Sequence, residues 1–287
     1  MLDGFSTEDV DVGDTTIRAR VAGTGPPVLL LHGFPQTHAM WHRVAPALAQ
    51  DHTVVATDLT GYGASGTPPS APGHARHAKR AMARDQVAAM AALGFARFAV
   101  AGHDRGGRCA YRMALDHPDR ITRIAVLDVT PTAEVLSTID AATARATWWW
   151  WLLAAPAPLP ERAIAADPDA LLFGTNATIF SPEALAAYRA ATADPATVHA
   201  MCEDYRAMMG PDRDDDLTDA RAGRRITAPL LALWSARSLT GRGEDPLTVW
   251  KRWADDVRGH AIDAGHFLPE EAPTQTLAAL RAFLAGA

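Results

Sequence analysis

The sequence of 287 residues has only two cysteines, Cys109 and Cys202, and this scarcity excludes several kinds of protein. The two thiols lie far apart and match neither a metal-ligand spacing nor a redox spacing, so we expect no metal site. Two thiols in a chain of this length also argue against a disulfide scaffold. We therefore interpret both as free thiols and expect a cytoplasmic protein that needs no cofactor.

The sequence also lacks an excess of positive charge, since the formal net charge is −6 and no long basic run occurs. This composition predicts neither a nucleic acid nor a membrane as a partner, and local arginines would have to bind an anionic substrate. The segment MLDGFSTEDVDVGD is acidic and lacks the basic and apolar regions of a signal peptide. We therefore expect no secretion.

The sequence has no apolar run long enough to span a bilayer. The most apolar window, WWWWLLAAPAPLP at residues 148–160, is far too short and ends in prolines. We expect its four tryptophans, residues 148–151, to line an interior surface.

What the sequence does contain is an alternation of strand and helix patterns. Apolar runs such as PPVLLLHG and HTVVATDL are typical of buried strands, and segments such as GGRCAYRMALDHP carry apolar residues at helical spacing. Strands that alternate with helices predict an α/β fold with a mostly parallel sheet flanked by helices. Only helical patterns occur in residues 132–225, so we expect a core of residues 1–131 and 226–287 with an inserted helical cap, residues 132–225.

The segment VAGHDRGGRCA, residues 100–110, predicts a strained turn between a strand and a helix. Gly102 and Gly106 lie two residues before and after Asp104, a spacing with which many hydrolases aim a catalytic side chain into the site. The amides at the helix N-terminus would keep Asp104 ionised and able to attack a substrate. The structural alternative is an aspartate that only caps the helix.

A carboxylate nucleophile forms an ester, and a base must then activate water to hydrolyse it. His266 follows the last predicted strand and is our candidate for the base, the alternative being a histidine in a surface loop. Asp128 ends the strand IAVLD and is our candidate for the acid that orients His266, unless it only caps a turn. Glu244 and Asp245, after a later strand, are the other carboxylates considered for this role.

The loop HGFP, residues 32–35, follows the buried strand pattern VLLL. The backbone amide of Phe34 in this loop is a candidate oxyanion-hole donor that faces the reacting centre. A structural turn role for Gly33 and Pro35 is compatible with this.

Several segments together resemble the fluoroacetate (haloacetate) dehalogenases of the α/β-hydrolase superfamily. They are HGFPQTHAMWHRVAP, DLTGYGASGTP, AGHDRGGRCAYRMALDHP, APAPLPE, MCEDYRA and GHFLPEEAPTQT. The resemblance extends along nearly the whole chain. It implies an α/β-hydrolase fold and the hydrolysis of a small halocarboxylate, fluoroacetate or chloroacetate, to glycolate and halide through an aspartyl ester. It is compatible with a homodimer, although the sequence does not determine the oligomeric state.

The resemblance also implies roles for individual residues. Asp104 corresponds to the nucleophile, and His266 and Asp128 correspond to the pair that drives ester hydrolysis. Arg105 and Arg108, one helical turn apart, correspond to the arginines that hold the substrate carboxylate. A guanidinium fork can bind a carboxylate through two hydrogen bonds, which agrees with that role. The alternative for Arg108 is a solvent-facing position on the helix.

In the family, a histidine, a tryptophan and a tyrosine of the cap bind the departing fluoride. The tryptophan corresponds to Trp150 and the tyrosine to Tyr205, whereas the histidine position holds Trp149. An indole donates one hydrogen bond and is bulkier than an imidazole, so the preference among fluoride, chloride and bromide stays open. Trp148 and Trp151 are expected to serve in cap packing.

Other functions fit parts of the same pattern. An epoxide hydrolase would use the same aspartate nucleophile with Tyr188 and Tyr205 as donors, but Arg105 and Arg108 would then place two cations beside a neutral substrate. A haloalkane dehalogenase usually has tryptophan at the position of Arg105. A non-catalytic ligand sensor on the same fold would leave the ordered nucleophile, acid and base unexplained.

Overall fold

The apolar runs of the sequence form the inner strands of one sheet. The computed structural model describes residues 1–241 and 243–286. Within them the strands are β1 (Ser6–Asp11), β2 (Thr16–Ala22), β3 (Pro27–Leu31), β4 (Thr53–Thr57), β5 (Phe98–His103), β6 (Ile121–Leu127), β7 (Leu230–Ser235) and β8 (Val257–Ile262). The order across the sheet is β1-β2-β4-β3-β5-β6-β7-β8. The pairs β1–β2 and β2–β4 are antiparallel and the others are parallel, which confirms the predicted mostly parallel sheet.

Helices flank the sheet and fill the long connection between β6 and β7. The α-helices are α1 (Ala45–Leu48), α2 (Lys79–Ala92), α3 (Arg105–Asp116), α4 (Thr132–Ser137), α5 (Ala141–Ala146), α6 (Trp148–Leu153), α7 (Leu159–Ala166), α8 (Pro182–Thr192), α9 (Pro195–Ala207), α10 (Arg213–Arg221), α11 (Pro246–Trp253), α12 (Leu268–Glu271) and α13 (Pro273–Leu284). Turns of 3-10 helix lie at His38–Arg43, Pro72–His77 and Gly174–Thr178, and turns of π-helix at Asp169–Phe173 and Met208–Asp212.

The helices α4 to α10, which we call the inserted helices, lie between two strands that are neighbours in the sheet. Every element at residues 132–221 is helical. The division into a core of residues 1–131 and 226–287 and a cap of residues 132–225 agrees with this layout and stays a prediction.

The hydrophobic core lies along the central strands. In β3, Val28 to Leu31 have no exposed surface, and Ile124 in β6 and Leu230 in β7 are equally buried. Such strands are apolar on both faces because helices cover both sides of a parallel sheet. Burying one of these side chains fully contributes roughly 1.5–3 kcal/mol, so the sheet is a rigid base for the loops at its carboxyl edge.

The strand β1 has no counterpart among the predicted strands. Its sequence STEDVD shows no apolar run, and Val10 is its one buried residue. A strand at the edge of a sheet pairs on one side only, here with β2, and the hydrogen bonds of that pair suffice to hold a polar segment in place.

No helix in residues 1–241 and 243–286 is both long and apolar enough to cross a membrane. Cys109 and Cys202 are both free and buried, and burial raises the pKa of each thiol.

Candidate active site

The turn between β5 and α3 places Asp104 at the carboxyl edge of the sheet. Asp104 has a positive φ of 47°, an uncommon conformation for a residue with a side chain. The flanking glycines make this turn possible. A Cβ on Gly102 would lie 2.3 Å from the Gly106 carbonyl oxygen, and one on Gly106 would lie 2.4 Å from the carbonyl oxygen of His32.

The carboxylate of Asp104 points away from its own helix. It makes no capping hydrogen bond to α3, so the helix-cap interpretation fails. Instead, Oδ2 accepts a hydrogen bond of 3.0 Å from the Phe34 backbone amide. The loop comes this close because residue 33 is glycine: a Cβ there would lie 2.7 Å from the Asp104 Cβ. The other oxygen, Oδ1, has no hydrogen-bond partner in the described part of the chain.

The surroundings keep Asp104 ionised. Burial alone would raise the pKa of its carboxyl group, but the positive charges of His266 and Arg105 and the Phe34 amide outweigh burial, so the pKa lies below its ordinary value. The side chain is partly exposed, which leaves room for a small molecule to reach it.

His266 and Asp128 form a second unit of the site. The Nδ1 atom of His266 lies 2.6 Å from the Asp128 Oδ2 atom. The other carboxylate oxygen of Asp128 accepts hydrogen bonds from the Ser235 amide at 2.9 Å and the Ser238 hydroxyl at 2.8 Å. All of the hydrogen-bonding capacity of Asp128 is therefore directed at holding His266 in one orientation.

The pKa of His266 is raised. Burial would lower this pKa, but the hydrogen bond and the charge of Asp128, together with the charge of Asp104, outweigh burial. The His266 side chain is 36% exposed, so solvent can reach the ring. His266 has a charged partner on one ring nitrogen and is accessible to water. It can therefore act as a base that takes a proton from water.

His103, directly before the nucleophile candidate, was not singled out in the sequence. Its Nε2 atom donates a hydrogen bond of 2.8 Å to the carbonyl oxygen of His266, and the two rings lie 4.5 Å apart. Burial lowers the pKa of His103 to about 4, so the ring is neutral at pH 7. It supports His266 as a neutral hydrogen-bond donor.

Arg105 lies in the site, but its fork is already occupied. Its Nε atom donates to the Asp204 Oδ2 atom at 2.9 Å, and its Nη2 atom donates to the Asp204 Oδ1 atom and, at 2.9 Å, to the Asp204 carbonyl oxygen. A two-point grip on a substrate carboxylate by this edge of Arg105, as the sequence suggested, is therefore not available. The pairing was missed because 99 positions separate the two residues.

Arg108 is 4% exposed, so the interpretation as a solvent-facing residue does not hold. Its Nη1 atom donates to the Thr130 carbonyl oxygen at 3.0 Å and to the Thr132 hydroxyl at 2.9 Å. In residues 1–241 and 243–286, the Nε and Nη2 atoms of Arg108 have no hydrogen-bond partner. This free edge keeps two donors for a ligand.

Tyr205 on α9 closes the site from the inserted helices. Its ring centroid lies 5.2 Å from that of Phe34 and 4.5 Å from the Arg105 guanidinium carbon. Burial and the charge of Asp104 raise the pKa of Tyr205. The hydroxyl makes no hydrogen bond to any described residue.

The four tryptophans of α6 divide between two faces, which corrects the expectation that all of them line an interior surface. Trp148 and Trp151 are 49% and 43% exposed, because residues three apart share one face of a helix and this face points outward. Trp149 and Trp150 are partly buried and pack against the core. Helix α6 packs against α9, the helix of Tyr205.

The competing residues have other partners. Glu244 pairs with Arg252 at 2.8 Å, and Asp245 caps α11 by accepting from the Thr248 amide at 3.1 Å. The Tyr188 hydroxyl donates to Glu270 and is fully buried. Within residues 1–241 and 243–286, no hydrogen bond or ion pair joins these groups to Asp104 or His266. Within the described residues, no cluster of histidine, cysteine, aspartate or glutamate side chains could hold a metal ion.

Known proteins share this architecture. A family model described as the alpha/beta hydrolase fold matches residues 26–273. A fluoroacetate dehalogenase from Burkholderia sp is 46% identical over 100% of this chain and 96% of its own length. A soluble epoxide hydrolase from Corynebacterium sp. (strain C12) is 31% identical over 88% of this chain and 87% of its own length.

Solved structures agree closely with the fold. A candidate alpha/beta hydrolase from Nostoc sp PCC 7120 superposes with a TM-score of 0.97 and 45% identity, with all of both chains covered. A candidate epoxide hydrolase from Pseudomonas aeruginosa, solved as a t131d mutant with bound MFA, superposes with a TM-score of 0.93 and 47% identity. That match covers 99% of this chain and 97% of the other.

The sheet order, the turn at Asp104 and the family match define the class, and the chain belongs to the alpha/beta hydrolase fold family. Within this class, the 46% identity to a fluoroacetate dehalogenase over the whole chain groups the protein with the fluoroacetate dehalogenases. The family, the fold class and the enzyme class predicted from the sequence, a hydrolase acting on carbon–halide bonds, are thereby confirmed. The homodimer and the cytoplasmic location stay predictions.

Proposed function

We propose that the protein hydrolyses a haloacetate to glycolate and halide through an ester on Asp104. The observation that carries this proposal is an ionised carboxylate, one oxygen of which accepts no hydrogen bond from the described residues, beside a histidine–aspartate pair that is not hydrogen-bonded to it. Attack on carbon and activation of water thus belong to separate groups, as a mechanism in two half-reactions requires.

In the first half-reaction the Oδ1 atom of Asp104 attacks the halogen-bearing carbon. A carbon–oxygen bond forms, and the halide departs with the electron pair of the carbon–halogen bond. No proton transfer is needed, because Asp104 is already ionised. The Phe34 amide holds Oδ2 at 3.0 Å and so leaves Oδ1 as the attacking atom.

In the second half-reaction water attacks the carboxyl carbon of the Asp104 ester. The Nε2 atom of His266 takes a proton from that water, while Nδ1 donates to Asp128. The Phe34 amide stabilises the negative charge that develops on Oδ2. Glycolate leaves with the original Asp104 oxygen and the proton returned by His266. The new carboxyl group of Asp104 releases the second proton of the water to solvent, which regenerates the carboxylate.

Ester formation itself prepares the base. The charge of Asp104 helps to raise the pKa of His266 in the free enzyme. The ester carries no charge, so this contribution is lost and the pKa of His266 falls in the intermediate. A larger fraction of His266 is then neutral at a given pH and able to accept a proton from water.

The substrate carboxylate fits the two buried arginines. Arg108 offers the free edge of Nε and Nη2. Arg105 offers its Nη1 atom, whose one partner in the described part of the chain is the thioether of Met208, a weak acceptor. Arg105 is already paired with Asp204, but no carboxylate pairs with the buried Arg108 among the described residues. A neutral substrate would leave the charge of Arg108 unpaired, and a buried charge without a partner is unfavourable.

Epoxide hydrolysis is the second candidate, supported by the identity to a soluble epoxide hydrolase. It would need two tyrosine hydroxyls directed at the epoxide oxygen. Tyr205 is available, but the Tyr188 hydroxyl is bound to Glu270 and lies in a fully buried position. The arrangement therefore favours the haloacetate.

A single-turnover experiment in oxygen-18 water tests the ester mechanism. We expect the label in the Asp104 carboxylate and none in the first glycolate formed, because the glycolate oxygen comes from Asp104. Peptide mass spectrometry locates the label. Label that appears directly in glycolate would show attack by water on the substrate and contradict the proposal.

The halide leaves toward the inserted helices, where we assign Trp149, Trp150 and Tyr205 as donors. The ring of Tyr205 lies over the Arg105 guanidinium group, and its hydroxyl has no hydrogen-bond partner in residues 1–241 and 243–286. The indoles of Trp149 and Trp150 have no hydrogen-bond partner among the described residues and lie on the inward face of α6. Fluoride depends most on such donors, because it is small, strongly hydrated and a poor leaving group.

We expect chloroacetate or bromoacetate to be turned over faster than fluoroacetate. Trp149 replaces the histidine of the fluoride site, and losing one well-placed donor costs about 2.7–4 kcal/mol by analogy with an oxyanion hole. Trp149→His should raise defluorination relative to dechlorination, and Trp148→His, on the exposed face, is the matched control. Parallel halide-release assays measure both ratios. Fluoroacetate turnover equal to that of chloroacetate in the unmodified protein would refute this expectation.

A further inference from the structure

A buried ionic cluster joins the inserted helices to the core directly beside the nucleophile turn. Its centre is Asp204 on α9, which has no exposed surface. Three core groups donate to its carboxylate: Arg105 at the start of α3, Lys79 at the start of α2, and the Tyr62 hydroxyl at 2.8 Å. The two cations oppose the effect of burial and lower the pKa of Asp204, so it is ionised.

The cluster determines which part of Arg105 a ligand can reach. Asp204 occupies the Nε and Nη2 atoms with its carboxylate and takes a further bond from Nη2 with its carbonyl oxygen. The Nη1 atom is the one guanidinium nitrogen without an oxygen partner in the described residues. Its partner is the Met208 sulfur at 2.9 Å. The Tyr205 ring covers one face of the Arg105 guanidinium group, with its centroid 4.5 Å from the guanidinium carbon. This contact restricts rotation of the guanidinium plane.

Lys79 prevents Asp204 from cancelling the charge of Arg105. Paired with Asp204 alone, Arg105 would form a neutral ion pair and attract an anion only weakly. The amine of Lys79 also contacts Asp204. Burial and the charge of Arg105 lower the pKa of Lys79, and the charge of Asp204 opposes this. While Lys79 is protonated, these three residues together carry one net positive charge. Asp212 is also near and accepts from the Lys79 amide at 2.6 Å, and burial raises the pKa of its carboxyl group.

We propose that Asp204 is the positioning residue of the substrate site: it locks Arg105 so that only Nη1 meets the substrate carboxylate. This inference rests on the proposed function. Under this proposal each arginine binds one oxygen of the substrate carboxylate. Nη1 of Arg105 binds one oxygen, and the edge of Arg108 formed by Nε and Nη2 binds the other. Met208 occupies Nη1 until the substrate replaces it.

Asp204→Asn tests the proposal. The amide keeps the shape of the side chain but offers one acceptor oxygen and presents N–H donors to Arg105 and Lys79, so Arg105 loses its anchor. We expect KM for chloroacetate to rise about tenfold or more, the equivalent of one charge-assisted hydrogen bond, and kcat to fall by a smaller factor. The dissociation constant of acetate, an unreactive carboxylate, should rise in parallel in titration calorimetry.

Two further variants separate positioning from folding. Lys79→Met combined with Asp204→Asn removes one charge of each sign, so the cluster keeps its net charge and tolerates burial better than the single variant. Its KM should still be raised, because Arg105 remains unanchored. Asp219→Asn is the matched control. Asp219 is also a buried aspartate on an inserted helix that pairs with an α3 arginine, Arg112, and this loss should leave KM unchanged.

The outcomes distinguish the two proposals. If the unmodified enzyme releases halide and folded Asp204 variants keep its KM and its acetate affinity, the positioning role is wrong and the proposed function stands. If no haloacetate is turned over but acetate binding still depends on Asp204, the proposed function is wrong and the positioning role stands. If acetate does not bind to the unmodified protein at all, the positioning role is wrong too.

Discussion

His266→Asn is expected to stop turnover after the first half-reaction and to accumulate the ester on Asp104. Alkylation needs only the ionised carboxylate, whereas ester hydrolysis needs a base for water. Steady-state halide release should fall by a factor on the order of 10² to 10⁴, the usual contribution of a general base. Intact-protein mass spectrometry after addition of chloroacetate should show one adduct per chain, and peptide mapping should locate it on Asp104.

The structure offers a control for this variant. His260 lies on β8, the strand that leads to His266, and its side chain is exposed. His260→Asn should turn over chloroacetate at the normal rate and show no adduct. A folded His266→Asn variant that keeps its unmodified mass while consuming substrate would mean that another group activates the water.

The sequence was sufficient to place the groups that end a strand. Asp104 follows β5 and Asp128 follows β6, two neighbouring parallel strands, and the strand patterns alone bring both to one edge of the sheet. The predicted fold class is confirmed for the same reason: the inner strands are apolar and the segments between them have helical spacing. The edge strand β1 was missed because a polar strand with one buried residue has no such pattern.

Long-range pairing is what the sequence could not supply. The sequence places Arg105 and Arg108 one turn apart on the same helix, because that relation depends only on local spacing. The carboxylate that binds the Arg105 fork comes from the inserted helices, which local spacing does not reveal. The one sequence signal at Asp204 is its place directly before Tyr205, and the structure adds that the helix is buried along most of its length. A charged residue in such a helix must pair with an opposite charge, but burial alone does not identify the partner.

The acid at Asp128 shows how the structure narrows alternatives that the sequence left open. Glu244 and Asp245 lie after β7, where an orienting acid is common, but both have other partners. Asp128 instead reaches His266 at 2.6 Å and receives two hydrogen bonds on its far oxygen. Its role can therefore be tested by a change that keeps the size of the side chain.

Asp128→Asn should reduce kcat by a factor on the order of 10⁴, by analogy with the same change in a Ser-His-Asp triad. The Ser235 amide and the Ser238 hydroxyl both donate to Oδ1, so they retain the amide oxygen of the asparagine and turn its NH₂ group toward His266. That group donates to Nδ1, which forces the proton of His266 onto Nε2, the atom that must accept one from water.

The variant should therefore form the Asp104 ester and hydrolyse it slowly, which separates this effect from a loss of substrate binding. Rapid-quench mass spectrometry measures the two half-reactions. Asp245→Asn is the control, because an asparagine still caps α11, and it should hydrolyse the ester at the normal rate. Asp128→Asn turnover within tenfold of the unmodified enzyme, with no ester accumulating, would show that His266 holds its productive tautomer without Asp128 and would remove the acid from the mechanism.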